Sequence, residues 1–148
     1  MNKILIVEDE LTTRKVIART VSRLGHSSIE ASNGFVAWQI LNDNPDISLL
    51  ITDMVMPDMD GWQLLEKLKA DSRLTSLPVI IVSGYVKLHE INDILIAGAS
   101  RFLPKPIDVH MLAEYIELLL ANSLEESTSR RSRLITPESR TDTQDSDW

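Results

Sequence analysis

Five short β-like runs, three of them apolar at almost every position, are each followed in this chain by apolar residues recurring at helical spacing. The first run is Lys3-Ile4-Leu5-Ile6-Val7. Behind it Thr13, Val16, Ile17, Thr20, Val21 and Leu24 share one helical face, and Gly25 supplies the C-terminal stop. A second strand is predicted near Ser28–Ala31, then a helix over Gly34–Asn42 with Phe35, Trp38 and Leu41 at helical spacing. The run Ile47–Thr52 is a third strand ending at Asp53. A loop from Met54 to Gly61 leads to a helix with Leu64, Leu65 and Leu68 inward. Pro78–Val82 is a fourth strand closed by Ser83, and Leu88, Ile91, Ile94 and Leu95 mark a helix over Leu88–Ala97. The last unit is a strand near Ser100–Leu103 and a helix behind the N-cap Asp108, with Leu112, Ile116, Leu119 and Leu120 on its apolar face.

Strands that are apolar on both faces belong in a parallel sheet with helices packed on each side. The pattern therefore predicts an α/β fold of five β–α units over residues 1–122. Residues 123–148 differ in kind: ten of the 26 are Ser or Thr, and only Leu124, Leu134, Ile135 and Trp148 are strongly apolar. Such a segment buries too little surface to offset its ordering entropy, and it is expected to be a disordered, Ser/Thr-rich acidic tail.

Composition narrows the function. With 148 residues, 43% apolar and 25% charged, the chain suits a soluble globular domain. A net charge of −7 leaves no basic stripe for a nucleic-acid backbone, and Arg130-Arg131-Ser132-Arg133 is too short and too diluted by acids to provide one. The absence of cysteine excludes disulfides, thiolate catalysis and Cys-based zinc sites, and it suits a cytoplasmic protein. No apolar run approaches the length of a bilayer span and no signal-peptide layout precedes the first strand, so no membrane association is expected. His26, His89 and His110 stand apart from one another and from the acids, which favours surface or packing roles. Asp58-Met59-Asp60-Gly61 lacks the remaining ligands of a calcium loop and reads as a loop entering a helix.

The candidate chemistry lies at the strand ends. Open α/β sheets bind ligands at the carboxyl edge of their strands. Glu8-Asp9, Asp53, Ser83 and Lys105 each follow an apolar run there. Three carboxylates on one edge repel each other unless a cation joins them, and Mg2+ takes one or two carboxylates while keeping other oxygens as ligands. Lys105 adds a point charge and Ser83 a hydroxyl for a further anionic oxygen. Such a set suits a phosphoryl group with a carboxylate as nucleophile, and Asp53 is the central candidate.

The runs Ile4-Leu5-Ile6-Val7-Glu8-Asp9-Glu10, Leu50-Ile51-Thr52-Asp53-Met54-Val55-Met56-Pro57-Asp58-Met59-Asp60-Gly61, Val82-Ser83-Gly84 and Phe102-Leu103-Pro104-Lys105-Pro106 resemble the receiver domain of bacterial two-component response regulators, chemotaxis regulators among them. The resemblance covers residues 1 to about 121. It implies a flavodoxin-like three-layer sandwich with five helices around a five-stranded parallel sheet in the order 2-1-3-4-5. It also implies that Asp53 accepts a phosphoryl group from a histidine kinase or phosphotransfer protein. Glu8, Asp9, Asp53 and the backbone carbonyl of Val55 would hold Mg2+. Ser83 would be the switch hydroxyl, Phe102 the switch aromatic and Lys105 the phosphate contact, followed by a cis Lys105–Pro106 bond. Val55 and Tyr85 occupy the positions that influence hydrolysis of the acyl phosphate, and neither can orient water, so slow self-hydrolysis is expected.

The function expected is thus a single-domain response regulator that signals by protein–protein contact, as a monomer or a weak phosphorylation-dependent homodimer. It would catalyse only its own phosphorylation and slow dephosphorylation. A phosphorylation-independent receiver-fold interaction module is the alternative, but such a module would be expected to lack one of these residues. A Mg2+-dependent phosphohydrolase would want a second acid–base carboxylate where Val55 stands.

Overall fold

The computed structural model describes residues 2–84 and 86–135, with side chains as far as Asn122. The chain alternates β1 (Lys3–Val7), α1 (Leu11–Arg23), β2 (Ser27–Ala31), α2 (Gly34–Asp43), β3 (Ile47–Thr52), α3 (Gly61–Ala70), β4 (Val79–Ser83), α4 (Leu88–Ile96), β5 (Arg101–Pro104) and α5 (Val109–Ile135). The strands form one parallel sheet in the order β2-β1-β3-β4-β5. This is the flavodoxin-like order the resemblance implies.

Successive strand residues point to opposite faces, so each apolar run feeds two cores. Leu5, Val7, Leu50, Val79 and Ile81 pack with Ala37, Leu41, Leu64, Leu65, Leu68 and Ile94 from α2, α3 and α4. Ile4, Ile6, Leu49, Ile51, Ile80, Val82 and Leu103 pack with Ile17, Val21, Leu112, Ile116 and Leu119 from α1 and α5. The result is three layers, helices on both sides of the sheet. Because β1 is flanked by β2 on one side and β3 on the other, the order reverses between β1 and β3, where a crevice opens at the strands' carboxyl ends.

Local signals set the helix ends. Gly25 has φ +87° behind α1, a left-handed turn that suits glycine, and it bonds back to Ser22 while His26 bonds back to Val21. Asp60 caps α3 by accepting from the Gln63 N–H at 2.9 Å, and the Gln63 side chain returns the bond to the Asp60 N–H at 3.0 Å. The Asp58–Gly61 stretch is therefore a helix entry, as its sequence suggests. Asp108 accepts from His110 and Met111 at the start of α5.

Three expectations need correction. The backbone of α5 stays helical to Ile135, past the boundary at residue 122. The composition of 123–135 argued against burial, but burial is not needed for local helix. Neither Gly nor Pro occurs between Asp108 and Pro137 to break the helix. The rest of the expected tail, 136–148, lies outside the described residues. Phe35, grouped by its spacing with Trp38 and Leu41, is 55% exposed, because Gly34, Ala37 and Leu41 form the stripe that meets the sheet. In α4 only Ile94 is fully buried, whereas Leu88 is 86% exposed and Leu95 lies at the surface. This helix touches the sheet along a narrower line than its four apolar residues suggest.

Candidate functional site

The sheet's hydrogen-bond ladders run one residue beyond the strands, and this seats the polar groups. Glu8 donates its N–H to the Ala31 carbonyl at 3.0 Å, and Asp53 donates to the Val7 carbonyl at 3.0 Å. Lys105 donates to the Ser83 carbonyl at 3.1 Å. Glu8, Asp53 and Lys105 thus leave the sheet at fixed heights, one from each of three strand ends.

Their side chains converge. Lys105 Nζ stands 2.9 Å from Asp53 Oδ2 and 3.0 Å from Glu8 Oε1. Glu8, Asp9 and Asp53 each offer a carboxylate oxygen, and these three oxygens lie within 4.8 Å of one another. Asp53 is buried and Glu8 wholly so, while Asp9 is exposed. Asp53 Oδ1 accepts from the N–H groups of Met54 at 2.6 Å and Val55 at 3.3 Å, which turns the carboxylate toward the loop. That loop closes on itself, for Gly61 donates to the Met54 carbonyl at 2.9 Å. A Cβ on Gly61 would stand 2.6 Å from the Asp53 carbonyl oxygen, so only glycine allows this approach.

Burial and charge act against each other here. Glu8 Oε2 accepts from the Glu10 N–H at 3.1 Å, while the buried Oε1 makes no well-formed hydrogen bond among the described residues and meets the Lys105 ammonium at 3.0 Å. Burial pushes the Glu8 carboxyl above the usual range, and the Lys105 contact and the Glu10 N–H only partly oppose this. Burial alone would lower the Lys105 ammonium; its contacts with Asp53 and Glu8 outweigh that and raise it. One ammonium stands against three clustered carboxylates, so the cluster keeps an excess of negative charge. A hard divalent cation fits that excess, with oxygen donors of the kind Mg2+ prefers.

Ser83 is buried at the end of β4, opposite Pro104 in the ladder, and Phe102 is half-buried on β5 opposite Ile81. Phe102 packs on the core under α2, α3 and α4. The Lys105–Pro106 bond is cis. Val55 is 64% exposed, while Met54 and Met56 are buried as loop packing. Trp38 sits at the core's edge with Lys67 Nζ 5.0 Å from its ring, and Trp62 is 39% exposed. Tyr85 lies outside the described residues.

One contact escaped the sequence reading. Arg14, on α1, donates from Nη1 to the Glu8 carbonyl at 2.9 Å and from Nε to Glu30 Oε1 at 3.0 Å. Its only sequence signal is a pair of opposite charges on elements that pack together, which periodicity does not single out.

Residues 4–117 match the family model described as the response regulator receiver domain. Chemotaxis protein CheY1 of Helicobacter pylori is 37% identical over 122 residues, 82% of this chain and 98% of that protein. A chemotaxis protein CheY homolog of Campylobacter jejuni is 37% identical over 119 residues, 80% of this chain and 92% of that one. Among solved structures, a response regulator receiver protein from Pseudomonas putida superposes with a TM-score of 0.74 at 28% identity, covering 78% of this chain and 95% of that one. The strand order, the acids at the β1–β3 crevice and the family match over most of the chain agree, and the chain belongs to the response regulator receiver domain family.

Proposed function

We propose that this protein is a phosphorylation-driven switch in two-component signalling, with Asp53 as phosphoacceptor. The observation that carries the reading is the meeting of Glu8, Asp9, Asp53 and Lys105 at the β1–β3 crevice. Asp53 Oδ2 is the attacking oxygen, because Oδ1 is engaged by two backbone N–H groups. It forms a bond to the phosphorus of a phosphohistidine on a kinase or phosphotransfer protein. The P–N bond breaks, and its electron pair leaves with the imidazole. Lys105 already lies on Oδ2 and follows the charge onto a phosphoryl oxygen. Glu8, Asp9, Asp53 and the Val55 carbonyl are the groups that would hold Mg2+. The bound ion supplies positive charge that lets the phosphoryl group approach three carboxylates. Beside Lys105 lies an open groove of about 560 Å3, lined by Thr13, Val16, Pro106 and Ile107 among others.

In this reading Ser83 donates its hydroxyl to the new phosphoryl group and Phe102 repacks on β5 in response. Output is contact with a protein target. The exposed Leu88, Leu95 and Ile96 of α4 support this, since apolar side chains clustered on one loosely packed helix suit a partner.

The test is incubation with a small acyl-phosphate donor, with and without Mg2+, read by intact mass. A Mg2+-dependent gain of one phosphoryl group, absent in Asp53→Asn, is expected. No gain by the folded wild type would leave a phosphorylation-independent binding module.

A further inference from the structure

Arg14 is the fourth residue of α1, and its N–H makes the helix's first backbone bond, to the Glu10 carbonyl at 3.0 Å. A cation in the first turn opposes the helix dipole, and no acid in that turn offsets it. What holds it there is a pair of bonds outside the helix. Nε meets Glu30 Oε1 on β2 at 3.0 Å, and Nη1 meets the Glu8 carbonyl at 2.9 Å. The other Glu30 oxygen accepts from Lys15 Nζ at 3.1 Å. Burial alone would raise the Glu30 carboxyl, but Lys15 and Arg14 outweigh it and hold the group below the usual range. Arg14 is itself mostly buried, with 18% of its side chain exposed.

The consequence falls on the peptide between Glu8 and Asp9. Its carbonyl is the Arg14 acceptor, and the peptide plane is rigid, so the bond fixes the direction in which Asp9 leaves β1. On the other side of Glu8, the N–H is held by Ala31 of β2. The anchor for Arg14 comes from the neighbouring residue of the same strand, Glu30. The geometry points to Arg14 as a positioning residue for the Glu8–Asp9–Asp53 metal cluster, with Glu30 as its anchor. This rests on the reading that the cluster binds Mg2+. A lysine at position 14 has no planar fork with which to bridge both acceptors.

The test is calorimetric titration of the full chain with Mg2+ alone, with thermal unfolding of each variant in parallel. Arg14→Met keeps the aliphatic stem, and about a tenfold loss of Mg2+ affinity is expected, as for other groups that orient metal ligands. Arg14→Lys restores little of it. Glu30→Gln weakens binding in the wild type but adds nothing to Arg14→Met, since its effect passes through Arg14. Lys15→Met is the control: it removes a bond to the same Glu30 carboxylate without touching Glu8, and it keeps wild-type affinity. A merely structural role would instead make affinity follow stability through all four variants. Wild-type affinity in folded Arg14→Met overturns the inference and leaves the proposed function standing. If Arg14→Met does not fold, unchanged affinity in Glu30→Gln overturns it equally. Absence of Mg2+ binding in the wild type, seen before any variant is made, overturns both.

Discussion

Lys105 Nζ stands 2.9 Å from Asp53 Oδ2, and the same ammonium is the one cation paired with the buried Glu8 among the described residues. Removing it strands two buried carboxylates. Lys105→Met is therefore expected to lose about 1–3 kcal/mol of stability without divalent ions, less than the roughly 3–5 kcal/mol that breaking a fully buried ion pair costs, because Lys105 is partly exposed. Mg2+ should recover much of the loss by supplying charge to the same acids. Urea unfolding with and without Mg2+ measures both. Equal stability of mutant and wild type in the absence of metal would contradict this account of the site's electrostatics.

Glu8 gives a pH dependence whose sign is fixed. Its carboxyl is raised in the folded state, chiefly by burial, so the folded protein binds its proton more tightly than the unfolded chain does. Stability attributable to Glu8 is therefore greatest below the ordinary carboxylate range. It falls as pH rises from there through the raised value. Glu8→Gln removes the titration. In metal-free buffer the mutant should gain on the wild type as pH rises through that window, then stay more stable at neutral pH. Adding Mg2+ should reverse the order, because only the wild type keeps the carboxylate. A difference curve flat with pH would show that the group is not perturbed by burial.

Most of this architecture was legible in the sequence because the strands are short and apolar on both faces, while the turns between them carry strong local signals such as Gly25, Asp60 and Asp108. The edge residues Glu8, Asp53 and Lys105 were legible for the same reason: a strand end fixes where its next side chain emerges. Helix faces were less so. Periodicity groups Phe35 with Trp38 and Leu41, and Leu88 with Ile91 and Ile94, but which side of a short helix meets the sheet depends on how the helix is seated, and that is a tertiary matter. The extent of α5 was misjudged because composition reports on burial rather than on local helix. Arg14 was invisible because its role depends on a backbone carbonyl, which every residue carries.

Gly61 links the loop to the acceptor. A methyl group there would lie 2.6 Å from the Asp53 carbonyl oxygen and 2.7 Å from the Met54 Cα, both backbone atoms that cannot step aside. Gly61→Ala should therefore open the turn that holds the Met54 and Val55 N–H groups on Asp53 Oδ1. A cost of about 1–3 kcal/mol is expected from overpacking alone. Acyl-phosphate labelling should fall by more than the unfolded fraction explains, because the folded remainder has a displaced Asp53. Labelling that simply tracks the folded fraction would mean that the loop and the acceptor are independent.

Val55 is 64% exposed two residues beyond Asp53, and its side chain is an isopropyl group with no donor or acceptor for water. Hydrolysis of an acyl phosphate needs a water placed in line with the P–O bond, and an apolar side chain at the mouth of the site offers it no anchor. The phosphorylated protein should therefore persist for minutes or longer in Mg2+ after the donor is removed. Val55→Gln places an amide at that mouth, and because the position is exposed the change should leave stability within about 0.5 kcal/mol. Its phosphoryl group should be lost several-fold faster, followed by intact mass over time. A wild-type lifetime of seconds, or a Val55→Gln lifetime equal to the wild type's, would mean that water reaches the phosphoryl group by a route this side chain does not control.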